Sequence, residues 1–233
     1  MGFPPLYILC NPVKEPDRYK TLVKHLKERG IPDDKLRWVV GPWGSELTSE
    51  QYFAAYDPFQ TRFGMEKTLC FKAHGLLRGE VSLVLTFSKA IDMALEEGAD
   101  IAMFFESDVV LREDFMERFE KVLEELTKDC SWDYCSLGEG VGTRPIGREH
   151  ASYFDETKVY INEGLGIFRC TDSMVFRRTF LQKIRQTLLP CRECLDWELN
   201  IQALIHKANC FWLDPPLVEP GSGRWRNPSL LPS

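Results

Sequence analysis

The chain has 233 residues, of which 44% are hydrophobic and 27% charged, with a formal net charge of -6 and a pI near 5.4. That is enough apolar material for a full core, and the acidic balance argues against a nucleic-acid partner. No run approaches the roughly 18 apolar residues of a membrane span. Residues 6–10 are too short for a signal-peptide core and lack its basic lead-in, so the expectation is a soluble, cytoplasmic protein rather than one of a secretory lumen.

Residues 6–10 (Leu-Tyr-Ile-Leu-Cys) are β-rich, and Asn11-Pro12 ends them as a turn. Asp17 then opens a helix whose Tyr19, Leu22, Val23 and Leu26 recur at helical spacing, with Gly30 as its C-cap. Residues 36–40 form the next strand. Strand, helix, strand is a βαβ unit, whose right-handed crossover implies parallel pairing, and the end of the first strand, at Asn11, is a natural nucleotide site. Residues 41–78 are irregular, broken by Gly41, Pro42, Gly44, Pro58 and Gly64. Trp43, Tyr52, Phe53, Tyr56 and Phe59 in that span suit either a ligand ring or a local satellite core.

Residues 79–99 return to helix, with Val84, Phe87, Ile91, Ala94 and Leu95 on one face. The run Ile-Ala-Met-Phe-Phe at 101–105 follows, too brief for an independent helix and suited to a strand covered on both faces. Glu106 and Asp108 sit at its carboxyl end. Ligands of open α/β sheets bind in the crevice outside such ends, so two carboxylates there are placed to hold a divalent cation against a phosphate; solvated loop acids or a helix cap are the plain alternative. Phe115, Phe119, Val122, Leu123 and Leu126 mark a further amphipathic helix, and residues 132–138 a strand ending in glycine. Residues 139–153, with Gly140, Gly142, Pro145 and Gly147, have loop composition.

Residues 170–178 lead into a helix through about Leu188. A last helix opens at 195–200 (Leu-Asp-Trp-Glu-Leu-Asn), with Asp196 expected at its N-cap, where a carboxylate stabilises a helix by about 1 kcal/mol with no catalytic role. His206 is a lone helical histidine. The eight cysteines are irregularly spaced, and Cys191 and Cys194 form a C-x-x-C with no second pair at zinc-finger spacing. Free thiols are expected, with a disulfide the alternative in an oxidising compartment.

Several patches, in order, are similar to glycosyltransferase family 25, the lipooligosaccharide and collagen galactosyltransferases. Glu106-Ser107-Asp108-Val109-Val110-Leu111 resembles the family's Glu-Asp-Asp-Val-Val-Leu metal segment, with Ser107 in place of the middle acid. Asn11 with Pro16-Asp17-Arg18 resembles the opening Ile-Asn-Leu plus Asp-Arg pattern. Gly79-Glu80-Val81 with Leu85-Thr86 resembles the helix beside the donor, although Phe87 stands where the family has histidine. Trp132-Asp133 with Leu137-Gly138, residues 170–178, Asp196-Trp197-Glu198-Leu199 and the tail from Pro215 match further short stretches.

The resemblance implies one GT-A domain over residues 1–233, an α/β Rossmann-like fold with a mostly parallel central sheet flanked by helices. Residues 1–110 would be its nucleotide-sugar half and 111–233 its acceptor half. It implies a glycosyltransferase using Mn2+ or Mg2+ and a nucleotide sugar, a UDP-sugar by preference, to glycosylate a glycan or glycoprotein with inversion. Asn11, Arg18, Glu80, Thr86, Glu106, Ser107 and Asp108 would meet the donor, with Asp108 and Glu106 holding the metal. Thr171 and Asp172 would lie near the acceptor, and Asp196, or else Glu198, would be the base. A Gly-Ser-Gly element with Arg224 and Arg226 either folds over a diphosphate or is a frayed end. Two rivals remain: a non-catalytic nucleotide- or sugar-binding module, and a nucleotidyltransferase, which the lack of a G-x-x-x-x-G-K-[ST] or G-x-G-x-x-G loop disfavours. The domain is also compatible with belonging to a larger multidomain protein.

Overall fold

The structure, a computed structural model, describes residues 2–59, 75–138, 147–154, 157–162 and 171–221. The strands are β1 (Leu6–Leu9), β2 (Leu36–Val39), β3 (Ile101–Glu106), β4 (Val109–Leu111), β5 (Tyr134–Ser136), β6 (Gly147–Phe154), β7 (Thr157–Asn162), β8 (Ser173–Arg177), β9 (Cys210–Asp214) and β10 (Val218–Pro220). The helices are α1 (Pro16–Glu28), α2 (Ser49–Ala55), α3 (Arg78–Glu97), α4 (Phe115–Lys128), α5 (Arg178–Thr187) and α6 (Leu195–His206). An eight-stranded sheet of order β2-β1-β3-β8-β5-β9-β7-β6 carries the fold, and β10 and β4 form a separate two-stranded ribbon.

The sheet is mixed. β1 pairs in parallel with β2 and β3, and β5 with β9, whereas β8 and β7 run against all their neighbours. The expectation of a mostly parallel sheet is corrected to this extent: β8 inserts, reversed, between β3 and β5, and β6–β7 is an antiparallel hairpin. That hairpin also occupies part of the stretch read as a loop, because its alternation is masked by glycines and charges; residues 139–146 lie outside the described residues.

Local chemistry places each element. Pro16 occupies the first turn of α1, where a missing N–H costs nothing. Glu80 caps α3 by accepting from the Leu77 N–H at 2.7 Å, and Gly98, at φ 76°, closes it in the left-handed region. The apolar strands alternate between two faces. Tyr7, Leu9, Ala102 and Phe104 meet α3, α5 and α6 on one side, while Leu6, Ile8, Met103 and Phe105 meet α1 and α4 on the other. Each fully buried phenylalanine contributes about 1.5–3 kcal/mol by leaving water, so the β1–β3 pair is held from both faces.

Register does the rest. Leu9 lies opposite both Val39 and Glu106, so β1, β2 and β3 end together and deliver Asn11, Gly41 and Ser107 to one rim. Phe105 lies opposite Ser173, so reversed β8 begins at that same rim and brings Thr171 and Asp172 to it.

Candidate functional site

A cleft of about 740 Å³ opens at this rim. Asn11, Glu15 and Arg18 line it from the β1–α1 turn, Gly41 to Ser45 from the segment after β2, and Ser82 and Thr86 from α3; Glu106, Ser107 and Asp108 complete the lining. The Lys14–Glu46 ion pair joins the loop after β1 to that after β2.

The acidic turn is held on both sides. The Glu106 N–H donates to the Asp172 carbonyl at 2.9 Å, and the Thr171 hydroxyl donates to Glu106 Oε1. Ser107 Oγ accepts from Arg18 Nη1 at 3.1 Å, and Arg18 stands 3.6 Å from Glu15. Burial pushes the Glu106 carboxyl up to about 7, and the charges of Asp108, Asp172 and Asp196 act in the same direction, against the Thr171 hydrogen bond. Asp172 also rises to about 7, chiefly through burial. One of its oxygens accepts from the Ser173 N–H at 2.7 Å, whereas Oδ2 is buried and has no hydrogen-bond partner among the described residues.

Four carboxylates thus share one region of field. Their oxygen donors are the hard set that Mg2+ and Mn2+ prefer. The residues fit a cation in that sense. Among the described residues no three His, Cys, Asp or Glu side chains are grouped to cage one, so a cation there would be completed by phosphate oxygens and water.

The residues singled out from the sequence divide clearly. Asn11, Arg18, Thr86, Glu106, Ser107 and Asp108 line the cleft together. The Asn11 side chain accepts from the Val13 and Lys14 N–H groups, fixing the turn after β1, and the Thr86 hydroxyl donates back to the Ser82 carbonyl. Glu80 stands outside the lining and serves the α3 cap. Thr171 and Asp172 reach the acidic turn from behind, through β8.

The N-cap reading of Asp196 changes. Asp196 is not the N-cap of α6; Cys194 is, and Asp196 lies in the first turn, where its Oδ1 accepts from the Trp197 N–H at 2.8 Å and from Cys194 Sγ at 2.9 Å. Its charge still acts on Glu106. Glu198, the alternative base, is held differently. It is 0% exposed, Oε2 accepts from the Arg192 N–H at 2.9 Å, and Oε1 accepts from Gln202 Nε2 at 3.0 Å, so it braces the turn before α6.

Phe87 is core, 0% exposed and ringed by Phe104 and Phe176. Tyr56 and Leu76 belong to the core on the α3 face and Tyr52 packs against it, so no separate satellite cluster forms there, and Trp43 alone of the five early aromatics lines the cleft. Cys191 and Cys194 are free thiols. Arg224 and Arg226 lie outside the described residues. Of the wall from Gly41 to Ser45 the sequence offered only Trp43, as a ring for a ligand or for local packing, although a Gly-Pro-Trp-Gly turn directly after a parallel strand was a usable signal for the whole segment.

No protein-family model matches the chain, and no curated protein matches it. Among solved structures, the chain is similar to "Crystal Structure of A197 from STIV", with a TM-score of 0.44 and 14% identity over 93% of this chain and 83% of that one.

Proposed function

We propose that the chain is a metal-dependent glycosyltransferase of GT-A type, akin to family 25, that moves a sugar from a UDP-sugar to a hydroxyl of a glycan or glycoprotein. One observation carries this reading: Glu106 and Asp108 lie on the wall of a 740 Å³ cleft at the carboxyl ends of β1 and β3, beside Asn11 and Arg18.

In this reading Asp108, supported by Glu106, holds the cation and diphosphate end of the donor. Arg18 supplies a planar cationic fork at the same turn, and Trp43 offers a ring face to the nucleoside. Bound Mn2+ or Mg2+ supplies charge neutralisation for the departing diphosphate. Asp196 takes the proton of the acceptor hydroxyl; its oxygen bonds to the anomeric carbon, and the bond to the nucleoside diphosphate breaks with its electrons on the phosphate oxygen.

A thermal-shift panel of UDP, GDP, CMP and their sugars, with and without Mn2+, tests it. Saturation at about 100 times Kd adds roughly 2.7 kcal/mol to native-state stability, worth several degrees in Tm at this size. The largest shift is expected for UDP ligands with Mn2+, and Asp108→Asn should lose the metal-dependent part. No shift with any nucleotide overturns the proposal. A non-catalytic binding module is the second reading, favoured by Ser107 and by the burial of Phe87 away from the cleft. Slow Mn2+-dependent hydrolysis of a UDP-sugar supports the enzyme, and binding without turnover supports the module.

A further inference from the structure

The acidic turn runs directly into β4, a three-residue strand whose only sheet neighbour among the described residues is β10. A strand this short, in a ribbon of two, has little stability of its own. Its other edge faces α1, and packing there is incomplete. A small cavity of about 10 Å³, room for about one water, lies between α1 and the turn, lined by Arg18, Thr21, His25, Ser107 and Asp108 among others.

What crosses this gap is polar. The Leu111 N–H donates to His25 Nε2 at 2.8 Å, and Arg29 Nε donates to the Leu111 carbonyl at 3.1 Å. Two side chains one turn apart on the α1 side therefore satisfy both backbone groups of one β4 residue, as a neighbouring strand would. The His25 bond is buried, with the residue only 4% exposed. Accepting that N–H requires an unprotonated Nε2. Burial first, and then the Arg29 charge, lowers the His25 pKa and keeps the lone pair available.

We propose that His25 is a positioning residue for the acidic turn: by taking the Leu111 N–H it fixes β4, and through β4 the placement of Asp108 at the cleft. This rests on the glycosyltransferase reading for what Asp108 binds, but the clamp itself is independent of it. Leucine at position 25 removes the acceptor and leaves the Leu111 N–H unpaired. Glutamine keeps a neutral oxygen acceptor of comparable reach.

Two measurements on the full chain test the proposal. The first is amide hydrogen exchange across residues 107–111. His25→Leu should lower protection at Leu111 at least ten-fold, and His25→Gln should retain most of it. The second is titration with Mn2+ alone, followed by electron paramagnetic resonance. His25→Leu should weaken Mn2+ binding about ten-fold, the usual scale for losing a group that orients a ligand, and glutamine should restore it. Should the leucine variant not fold, Arg29→Met, which removes the donor to the Leu111 carbonyl, is expected to move both readouts in the same direction. A folded variant with unchanged exchange and unchanged Mn2+ affinity overturns the inference, as does glutamine proving as damaging as leucine. Failure of the wild-type chain to bind Mn2+ overturns the functional reading instead, and the exchange result then decides the clamp alone.

Discussion

Asp172 presses its carboxylate onto the bare α-carbon of Gly138: a methyl group built there would lie 2.4 Å from Oδ2 and 2.5 Å from Oδ1. The carboxylate cannot swing aside without losing the Ser173 N–H. Gly138→Ala should therefore destabilise the fold by about 1–3 kcal/mol, the cost of overpacking. Because the clash is with a side chain, adding Asp172→Ala should return a good part of the loss. Urea unfolding of the single and double variants measures that coupling, and strict additivity would refute the contact.

Gly41 presents the opposite case. A Cβ there would meet Thr86 Oγ1 at 1.9 Å and the Thr86 α-carbon at 2.9 Å. The second contact is with backbone, so no change at position 86 relieves it. Gly41→Ala should cost about as much stability as Gly138→Ala or more, and Thr86→Ala should fail to rescue it. Since Gly41 lines the cleft, nucleotide binding should fall with it, readable in the same thermal-shift panel.

The pH dependence of stability has a defined sign. Glu106 and Asp172 are both held up to about 7, from ordinary values of 4.5 and 3.8. Between those limits the folded chain keeps protons that the unfolded chain gives up, so their contribution is full below about pH 4 and is lost as pH rises through 7. Asp172→Asn should leave Tm nearly unchanged at pH 4 and raise it at pH 8, where the gain in unfolding free energy reaches roughly 4 kcal/mol at the limit for about three units of displacement. Melting curves of variant and wild type across pH 4–8 isolate this group from the others. Equal Tm differences at both ends would show that Asp172 is charged throughout.

Glu198 should behave as a brace. Glu198→Ala removes the carboxylate that accepts from the Arg192 N–H and from Gln202 Nε2, and losing the acceptor of a buried hydrogen bond costs about 1–3 kcal/mol. A fall in denaturant midpoint is expected, whereas intact stability with abolished turnover would return Glu198 to the chemistry. Asp196→Asn, by contrast, should lower turnover by about 10²- to 10⁴-fold with a modest change in Tm.

Much of the framework was legible from pattern. The run at 101–105 is apolar on both faces because it is central, and the turn residues after β1 and the stripes of α3 and α4 announced themselves by spacing. What escaped had a physical reason. β6 lies at the sheet's edge, and its Gly-Arg-Glu-His-Ala-Ser-Tyr-Phe run lacks the apolar alternation that marks a half-buried strand. The reversal of β8 follows from its partners β3 and β5 rather than from its own Ser-Met-Val-Phe-Arg sequence. Asp196 was misplaced by two residues because Cys194, a weak capping residue, holds the N-cap where an aspartate is the better prior. Glu198 and Asp196 sit two residues apart on one helix and share a motif, yet one is sealed in the core and the other is not; only packing separates them.

The last described strand gives the chain's far end leverage over its centre. β10 pairs with β4, and the Gly221 N–H donates to the Asp108 carbonyl, so the backbone of the acidic turn is stitched to a segment more than a hundred positions downstream. Proteolysis or a stop codon upstream of Val218 would accordingly not be a harmless trim: it would unzip the ribbon and remove the one backbone tether on the Asp108 carbonyl that comes from the far end of the chain.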